Sequence, residues 1–393
     1  MVYFNSNAGA LHGLLRMNDE NKAKSNAIIL DQLHAGGGTD IYAGLKQGAN
    51  VLELRKSQNA ASCIFLLTDG QDRSNKTQKI DLARSLKQNG TALFAFGFGK
   101  DHDAEHMMEI SQAAEGGFSY IETDDTVVDA FGGALGSLQG SILLTKLKLS
   151  IAPSAGVIVK SVSAGRYSAK VDRGIATVSF ANMFQGEKRD VLVQVSVPKV
   201  SAPTFTSLLS ANLQYSALGV TYHFPPAQPA PTSIFSSFSQ SSTTAMGVSC
   251  GVERVNEGDE RLKETRALEV DEQMNRALVA RATSAAIAEA DMGNMDEARR
   301  LLTEATAVLL SSPSHLSGAQ SAAALLKELN DALESTVSRE VYYRGGKNSM
   351  CETISVQDQQ RSLYTKSGKM NMYQSPSSCA NQSTFSSMKG KGV

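Results

Sequence analysis

Two short segments combine residue types and spacing suited to holding a small hard cation. The first is Gly36-Gly37-Gly38-Thr39-Asp40, ahead of a helix-forming stretch at residues 41–54. The second is Leu67-Thr68-Asp69-Gly70-Gln71-Asp72, directly after an apolar run. A hydroxyl and a carboxylate are the oxygen donors that Mg²⁺ takes, and nearby glycines let two backbones approach closely. Both segments follow or precede elements of an alternating strand–helix pattern, and in open α/β sheets ligands bind outside the carboxyl ends of the strands. Each residue also has an ordinary use: Thr39 is placed to cap the helix that follows, and Asp is common in the turn after a strand.

Other constellations are weaker. Asp101-His102-Asp103 with His106 sets two imidazoles four residues apart, a zinc spacing if both lie on one helix face. The same residues fit a solvated acidic helix start favoured by the helix dipole, and this is the expected arrangement. Gly97-x-Gly99 is too short for a dinucleotide fingerprint. Ser and His never occur in a nucleophile-elbow setting, and Cys63, inside an apolar strand, should be inert. Cys63, Cys250, Cys351 and Cys379 form no Cys-x-x-Cys pair, so neither a zinc module nor a disulfide framework is expected. No catalytic set emerges, and a non-enzymatic protein is expected.

The elements that must position these residues follow from periodicity. Residues 61–68 and 91–98 are continuously apolar, as parallel strands buried on both faces are. Between them residues 76–89 read as a helix closed by Gly90. A helix over 104–114, a strand over 118–121 and a helix from residue 125 complete a doubly wound, mostly parallel α/β sheet over residues 1–144. Residues 145–223 change to period two, with Val191, Val193, Val195 and Val197 the cleanest run, and suggest a small antiparallel β-sandwich. Residues 224–252 are Pro- and Ser-rich and read as a flexible linker. Residues 253–343 read as helical: Ala298, Leu301, Leu302, Ala305, Val308 and Leu309 form one stripe, Gly293 breaks the preceding helix, and Asn294 with Glu297 suggests a capping box. Residues 344–393 are rich in Ser, Gln, Gly and Lys and are expected to be disordered.

Thirty-eight Lys and Arg against 39 Asp and Glu leave a net charge of −1, which argues against nucleic acid or an anionic membrane as partner. No apolar run approaches the roughly 20 residues that cross a bilayer, and the N-terminus has no signal-peptide pattern. A cytoplasmic protein is the expectation.

The runs Ala35-Gly36-Gly37-Gly38-Thr39-Asp40-Ile41, Gly44-Leu45 and Phe65-Leu66-Leu67-Thr68-Asp69-Gly70-Gln71-Asp72 together resemble the second and third loops of a von Willebrand factor A (VWA) domain, a Rossmann-like fold. Phe96-Gly97-Phe98-Gly99-Lys100-Asp101-His102-Asp103 resembles the following segment in one subgroup. The resemblance implies a metal-ion-dependent adhesion site with Thr39 and Asp69 as ligands of Mg²⁺, completed by an Asp or Glu of a protein partner. Gly165-Arg166-Tyr167-Ser168, Glu187-Lys188-Arg189-Asp190-Val191-Leu192-Val193 and the helix near residues 271–276 resemble the regions after the VWA domain in plant RING-finger ubiquitin ligases. The cysteines cannot supply a RING, so ligase activity is not implied, although a substrate-recruiting part of a ligase with its RING encoded upstream is the alternative. The family's first loop, Asp-x-Ser-x-Ser, and the central strand before it have no counterpart, because residues 1–8 match the family's second strand. A truncated gene model is expected over a degenerate domain, and the unpaired backbone left by the missing strand leads to the expectation of poor expression or aggregation.

Overall fold

The computed structural model describes residues 1–57, 59, 62–72, 74–123, 126–138, 144–184, 186–217, 220–224, 248–256, 259, 266–361 and 373. The N-terminal region begins with an antiparallel hairpin of β1 (Val2–Phe4) and β2 (Ala8–Ala10), followed by α1 (Asp19–Gln32) and α2 (Ile41–Glu53). Then β3 (Ser62–Thr68), β4 (Thr91–Phe98) and β5 (Phe118–Ile121) alternate with α3 (Lys76–Gln88) and α4 (Ala104–Ala113), and α5 (Val127–Leu138) follows. β3, β4 and β5 pair in parallel in that order, with Phe65 opposite Phe94 and Ala95 opposite Phe118. The apolar continuity of β4 is what burial on both faces demands, and Leu93 to Phe96 are all 0% exposed. Ile41, Leu45, Ala83 and Met107 pack on one face, and Ala130, Phe131 and Ala134 on the other.

This sheet is divided. β1 and β2 form a sheet of their own, and among the described residues no ladder joins them to β3. One helix spans the division: a Cβ on Gly44 of α2 would stand 2.7 Å from the Phe4 ring of β1, and one on Gly48 would stand 3.5 Å from Ile64 of β3. Gly44 is needed there because any side chain would push the helix off the hairpin.

The second region holds β6 (Leu144–Pro153), β7 (Ile158–Ser163), β8 (Ser168–Asp172), β9 (Ile175–Met183), β10 (Leu192–Ser196), β11 (Thr204–Ala217), β12 (Val220–Phe224) and β13 (Val248–Arg254). The order β8-β9-β6-β11-β12 makes one antiparallel sheet, β13 also pairs with β11, and β7 with β10 forms a second, smaller one. Ile151, Val159 and Ala176 meet Val193, Val195 and Leu209 between them. The structure differs from the expected linker at residues 248–252, which belong to β13. That strand is exposed along nearly its whole length, so no period-two burial pattern marks it in the sequence. Residues 225–247 lie outside the described residues.

The third region contains α6 (Leu268–Asp291), α7 (Met295–Leu310), the short α8 (Pro313–Leu316), α9 (Gln320–Ser335) and α10 (Arg339–Val341). A kink at Gly345, whose φ is 146°, separates α10 from α11 (Lys347–Gln359). α7 starts after Asn294 as expected, but without a side-chain cap: Asn294 donates to Glu289 at 2.9 Å, and Glu297 pairs with Arg300 instead. α11 departs from the expected disordered tail. Three of its few apolar residues, Met350, Cys351 and Ile354, share one face and are buried in the same core as Met107 and Phe118. Tail residues 362–372 and 374–393 lie outside the described residues.

α11 also satisfies the outer edge of the parallel sheet. The Phe118 amide donates to Ser355 Oγ at 3.3 Å and the Tyr120 amide to Glu352 Oε1 at 3.1 Å. At the end of the helix, Arg361 and Arg189 close on the buried Glu187, donating to it at 2.6 and 2.8 Å, while Arg189 also reaches Tyr167 Oη and the Gln360 carbonyl. Burial alone would raise the Glu187 pKa, but the two guanidiniums hold it down at about 2. A carboxylate with a depressed folded-state pKa stabilises the fold above its unfolded value, and that contribution is lost as pH falls from the ordinary carboxylate range toward about 2. Glu187→Gln leaves two guanidiniums facing a neutral amide in the interior. It should lower unfolding stability by about 3–5 kcal/mol at neutral pH and flatten the acid limb of the stability profile, as measured by denaturant titration.

Candidate functional site

The two glycine-flanked loops come together at the start of α2. Asp40, not Thr39, caps that helix: its carboxylate accepts from the Ala43 amide at 2.9 Å. Asn75 caps α3, accepting from Thr77 and Gln78. Thr39 and Asp69 therefore cap neither helix, while Asp69 does stand in the turn directly after β3, as an Asp there ordinarily does. The Thr39 hydroxyl lies against Gly70, where a Cβ would stand only 2.6 Å from Oγ1. A glycine at 70 is what lets the two loops touch. Thr39 is half-buried and Asp69 exposed, with no hydrogen bond from either side chain to another described residue.

What holds the loops together is Asp72, a residue with no expected ligand or catalytic role. Asp72 lies at the end of the second loop with its side chain almost fully buried. Its Oδ2 accepts from the Lys79 ammonium at 2.7 Å, the Ile41 amide at 3.0 Å and the Ser74 hydroxyl at 2.8 Å, and its Oδ1 from the Ser74 amide at 2.6 Å. Burial works against ionisation, yet Lys79 and these donors keep the carboxyl below its usual range. The signal was there in part, since an Asp three residues after Asp69 with a lysine one helix turn into α3 is a pattern for a loop-to-helix clamp. The turn of the β1–β2 hairpin supplies the third side, with Asn5 O accepting from the Asp40 amide at 2.7 Å and Ser6 Oγ from the Gly38 amide at 2.9 Å.

Thr39 and Asp69 bring two hard oxygens to adjoining loops, with neither committed to a structural bond. Mg²⁺ characteristically keeps several waters and is bound through one or two carboxylates, so the donor chemistry suits it. The number is small: among the described residues no three His, Cys, Asp or Glu side chains gather as a metal cluster.

The other candidates resolve differently. Asp103 caps α4 through the His106 amide, but His102 and His106 are 4% and 1% exposed, so this helix start is not solvated as expected. His102 precedes the helix and lies 5.9 and 5.7 Å from the Phe118 and Tyr120 rings, and burial lowers its pKa. These imidazoles fill the core. Cys63 is as inert as expected, burial pushing its thiol up to about 12.

An open parallel sheet with helices on both faces and two oxygen-bearing loops at its carboxyl end defines a Rossmann-like binding domain. Residues 1–132 match the von Willebrand factor type A domain, and the chain contains a domain of that family. The fold as a whole is similar to that of a von Willebrand factor type A protein from Catenulispora acidiphila, at a TM-score of 0.64 and 16% identity over 93% of this chain and 80% of that one. In sequence the chain is 27% identical over 200 residues to the E3 ubiquitin-protein ligase WAV3 of Arabidopsis thaliana, covering 50% of this chain and 25% of the relative. It is 29% identical over 135 residues to human calcium-activated chloride channel regulator 4, covering 34% of this chain and 14% of the relative. The chain thus spans a quarter or less of these relatives' length.

The clamp is testable without a ligand. Lys79→Met strips the counter-charge from a buried carboxylate and should cost about 3–5 kcal/mol of stability by denaturant titration. Asp72→Asn on the same background should restore part of that loss, because it removes the stranded charge. Equal losses in the single and double variants would show that Asp72 carries no such role.

Proposed function

We propose that the chain is a non-enzymatic protein-binding protein that engages an Asp or Glu of its partner through a divalent cation, Mg²⁺, at Thr39 and Asp69. The observation that supports this reading is the uncommitted hydroxyl and carboxylate on touching loops, where neither caps a helix, Asp69 directly follows the carboxyl end of β3 and Thr39 lies against Gly70. A bound cation supplies a positive centre that a partner carboxylate can complete. The protein's part is positional. Gly70 admits the Thr39 hydroxyl, Asp72 and Lys79 fix the two loops against each other, and the hairpin turn at Asn5 and Ser6 supports the glycine-rich loop from below. The sandwich and helices are the base on which the domain stands. No described helix is long and apolar enough to cross a membrane, and a cytoplasmic location belongs to this reading.

A second reading is favoured by one observation. The similarity to the Arabidopsis ligase runs over 200 residues, beyond the 132 of the VWA match, and so takes in sequence outside that domain. In this reading the chain is the substrate-recruiting part of a ubiquitin ligase. Translation of the genomic sequence upstream of Met1 separates the two, a Cys/His RING pattern there supporting the ligase.

For the leading reading, the immobilised chain should capture its partner in Mg²⁺ and lose it in chelator. Asp69→Ala should lose the same partner without loss of thermal stability, since Asp69 is exposed and makes no structural bond. Capture indifferent to both would remove the metal mechanism.

A further inference from the structure

β13 is an edge strand without the features that keep edges apart. Val248–Arg254 pairs with β11 on one side, and among the described residues no ladder takes up its other side. Native edges are blunted by charged residues, prolines or bulges. β8, at the far edge of the same sheet, carries Lys170 and Asp172. Residues 248–252 of β13, Val-Ser-Cys-Gly-Val, hold neither charge nor proline. The extra residue in the β11–β13 ladder is Leu208 of β11, so β13 itself runs regularly.

Both faces of this edge are apolar and exposed. Cys250 and Val248 stand opposite Leu209 and Ala211, and directly opposite residues share a face of the sheet. Leu209 and Ala211 turn inward, into the core that Val193 and Val195 of the smaller sheet help to form. That sheet has only two strands and leaves β13 uncovered: Val248 is 68% exposed, Val252 is 39% exposed, and Cys250 is exposed between them. On the other face the Phe205 ring, also 68% exposed, lies across Gly251, where a Cβ would stand 2.3 Å from Cζ. A glycine at 251 lets an aromatic ring sit over the edge strand.

We propose that β13 pairs antiparallel with β13 of a second copy of this chain, about a two-fold axis at Cys250, to form a reversible homodimer. The occupant follows from the order of residues in the strand. In an antiparallel pair about a two-fold axis, residues equally far from the axis face each other. With the axis at Cys250, Val248 meets Val252 of the second copy, Ser249 meets Gly251, and Cys250 meets its own counterpart. Apolar then faces apolar and small faces small, the self-complementarity that an isologous interface requires. Other registers lose this match. An axis at Gly251 sets Val248 against Arg254, one at Val252 sets Cys250 against Arg254, and one at Glu253 sets two like charges together. Five paired residues and two Phe205 rings make a joint below the standard interface size, so the dimer is weak and depends on concentration. This association goes beyond the metal-dependent reading and does not rest on it.

Sedimentation of the full chain over about 1 to 100 μM, in reductant and chelator, tests the dimer independently of any cation or disulfide. A shift from monomer to dimer is expected, with amide exchange in Val248–Arg254 slowing over the same range. Val248→Lys sets a lysine against Val252 of the second copy and should weaken association about tenfold or more. The position is exposed, so the melting temperature of the monomer should not change. Oxidation by copper-phenanthroline in air reads the register, in a chain carrying Cys379→Ser. Cys250 should form a disulfide with its counterpart. With Cys250→Ser, Val252→Cys alone should not cross-link, because the two thiols would lie roughly 14 Å apart along the strands. Val248→Cys and Val252→Cys together should. The dimer is overturned by a monomer at every concentration, by association that Val248→Lys leaves intact, or by a different cross-linking pattern. Exchange in Val248–Arg254 that is slow at every concentration would also overturn it, by placing a segment of the same chain on the edge.

Discussion

Asp72 accepts, through one buried oxygen, from the Lys79 ammonium, the Ile41 amide and the Ser74 hydroxyl, and the geometry of the whole carboxyl-end crevice depends on that convergence. Lys79 belongs to α3, Ile41 begins α2, and Asp72 ends the loop after β3, so three elements meet at one carboxylate. A buried pair of this kind is weak evidence of net stability, since desolvation offsets much of the attraction. Its value is positional: with a single low-energy arrangement for the three donors, the Thr39 hydroxyl has one place to go, which is against Gly70.

The same division between positioning and exposed groups recurs across the molecule. Glu187, Arg189, Arg361 and Tyr167 form a second buried polar junction, joining the end of α11 to the antiparallel sheet, and Ser355 and Glu352 of α11 close the β5 edge of the parallel one. One terminal helix thus ties the three regions together through side chains that seek backbone groups. Among the described residues the opposite edge has no comparable cover. The sheet is thus, among the described residues, covered on the β5 side and open on the β3 side, where the loops of Thr39 and Asp69 lie.

Much of the α/β region was legible because its strands are buried on both faces. The spans 91–98 and 118–121 match β4 and β5, and the helix expected over 76–89 is α3, with Gly90 in the left-handed conformation just beyond it. Legibility failed where polar contacts replace apolar period. β13 is exposed on a sheet edge, and α11 carries only three buried apolar residues in a polar sequence, its place decided by partners such as Glu187 and Arg361, 174 residues apart. Thr39 and Asp69 could be picked out from their loops, but that neither caps a helix was visible only in three dimensions. Asp72 is harder to pick out: Ser74 and Lys79 are near it in sequence, but the Ile41 amide that makes it a clamp between loops is 31 residues away.

The central proposal is that Thr39 and Asp69 are two protein ligands of a cation site. Electron paramagnetic resonance of Mn²⁺ titrated into the full chain reads this most directly, since Mn²⁺ takes the same hard oxygen donors as Mg²⁺. Saturable loss of the free-ion signal with one weak site per chain is expected, with its return on addition of excess Mg²⁺ and no such site in Asp69→Ala. Binding of equal strength in the Asp69→Ala chain, or no saturable binding in the unaltered chain, would contradict it.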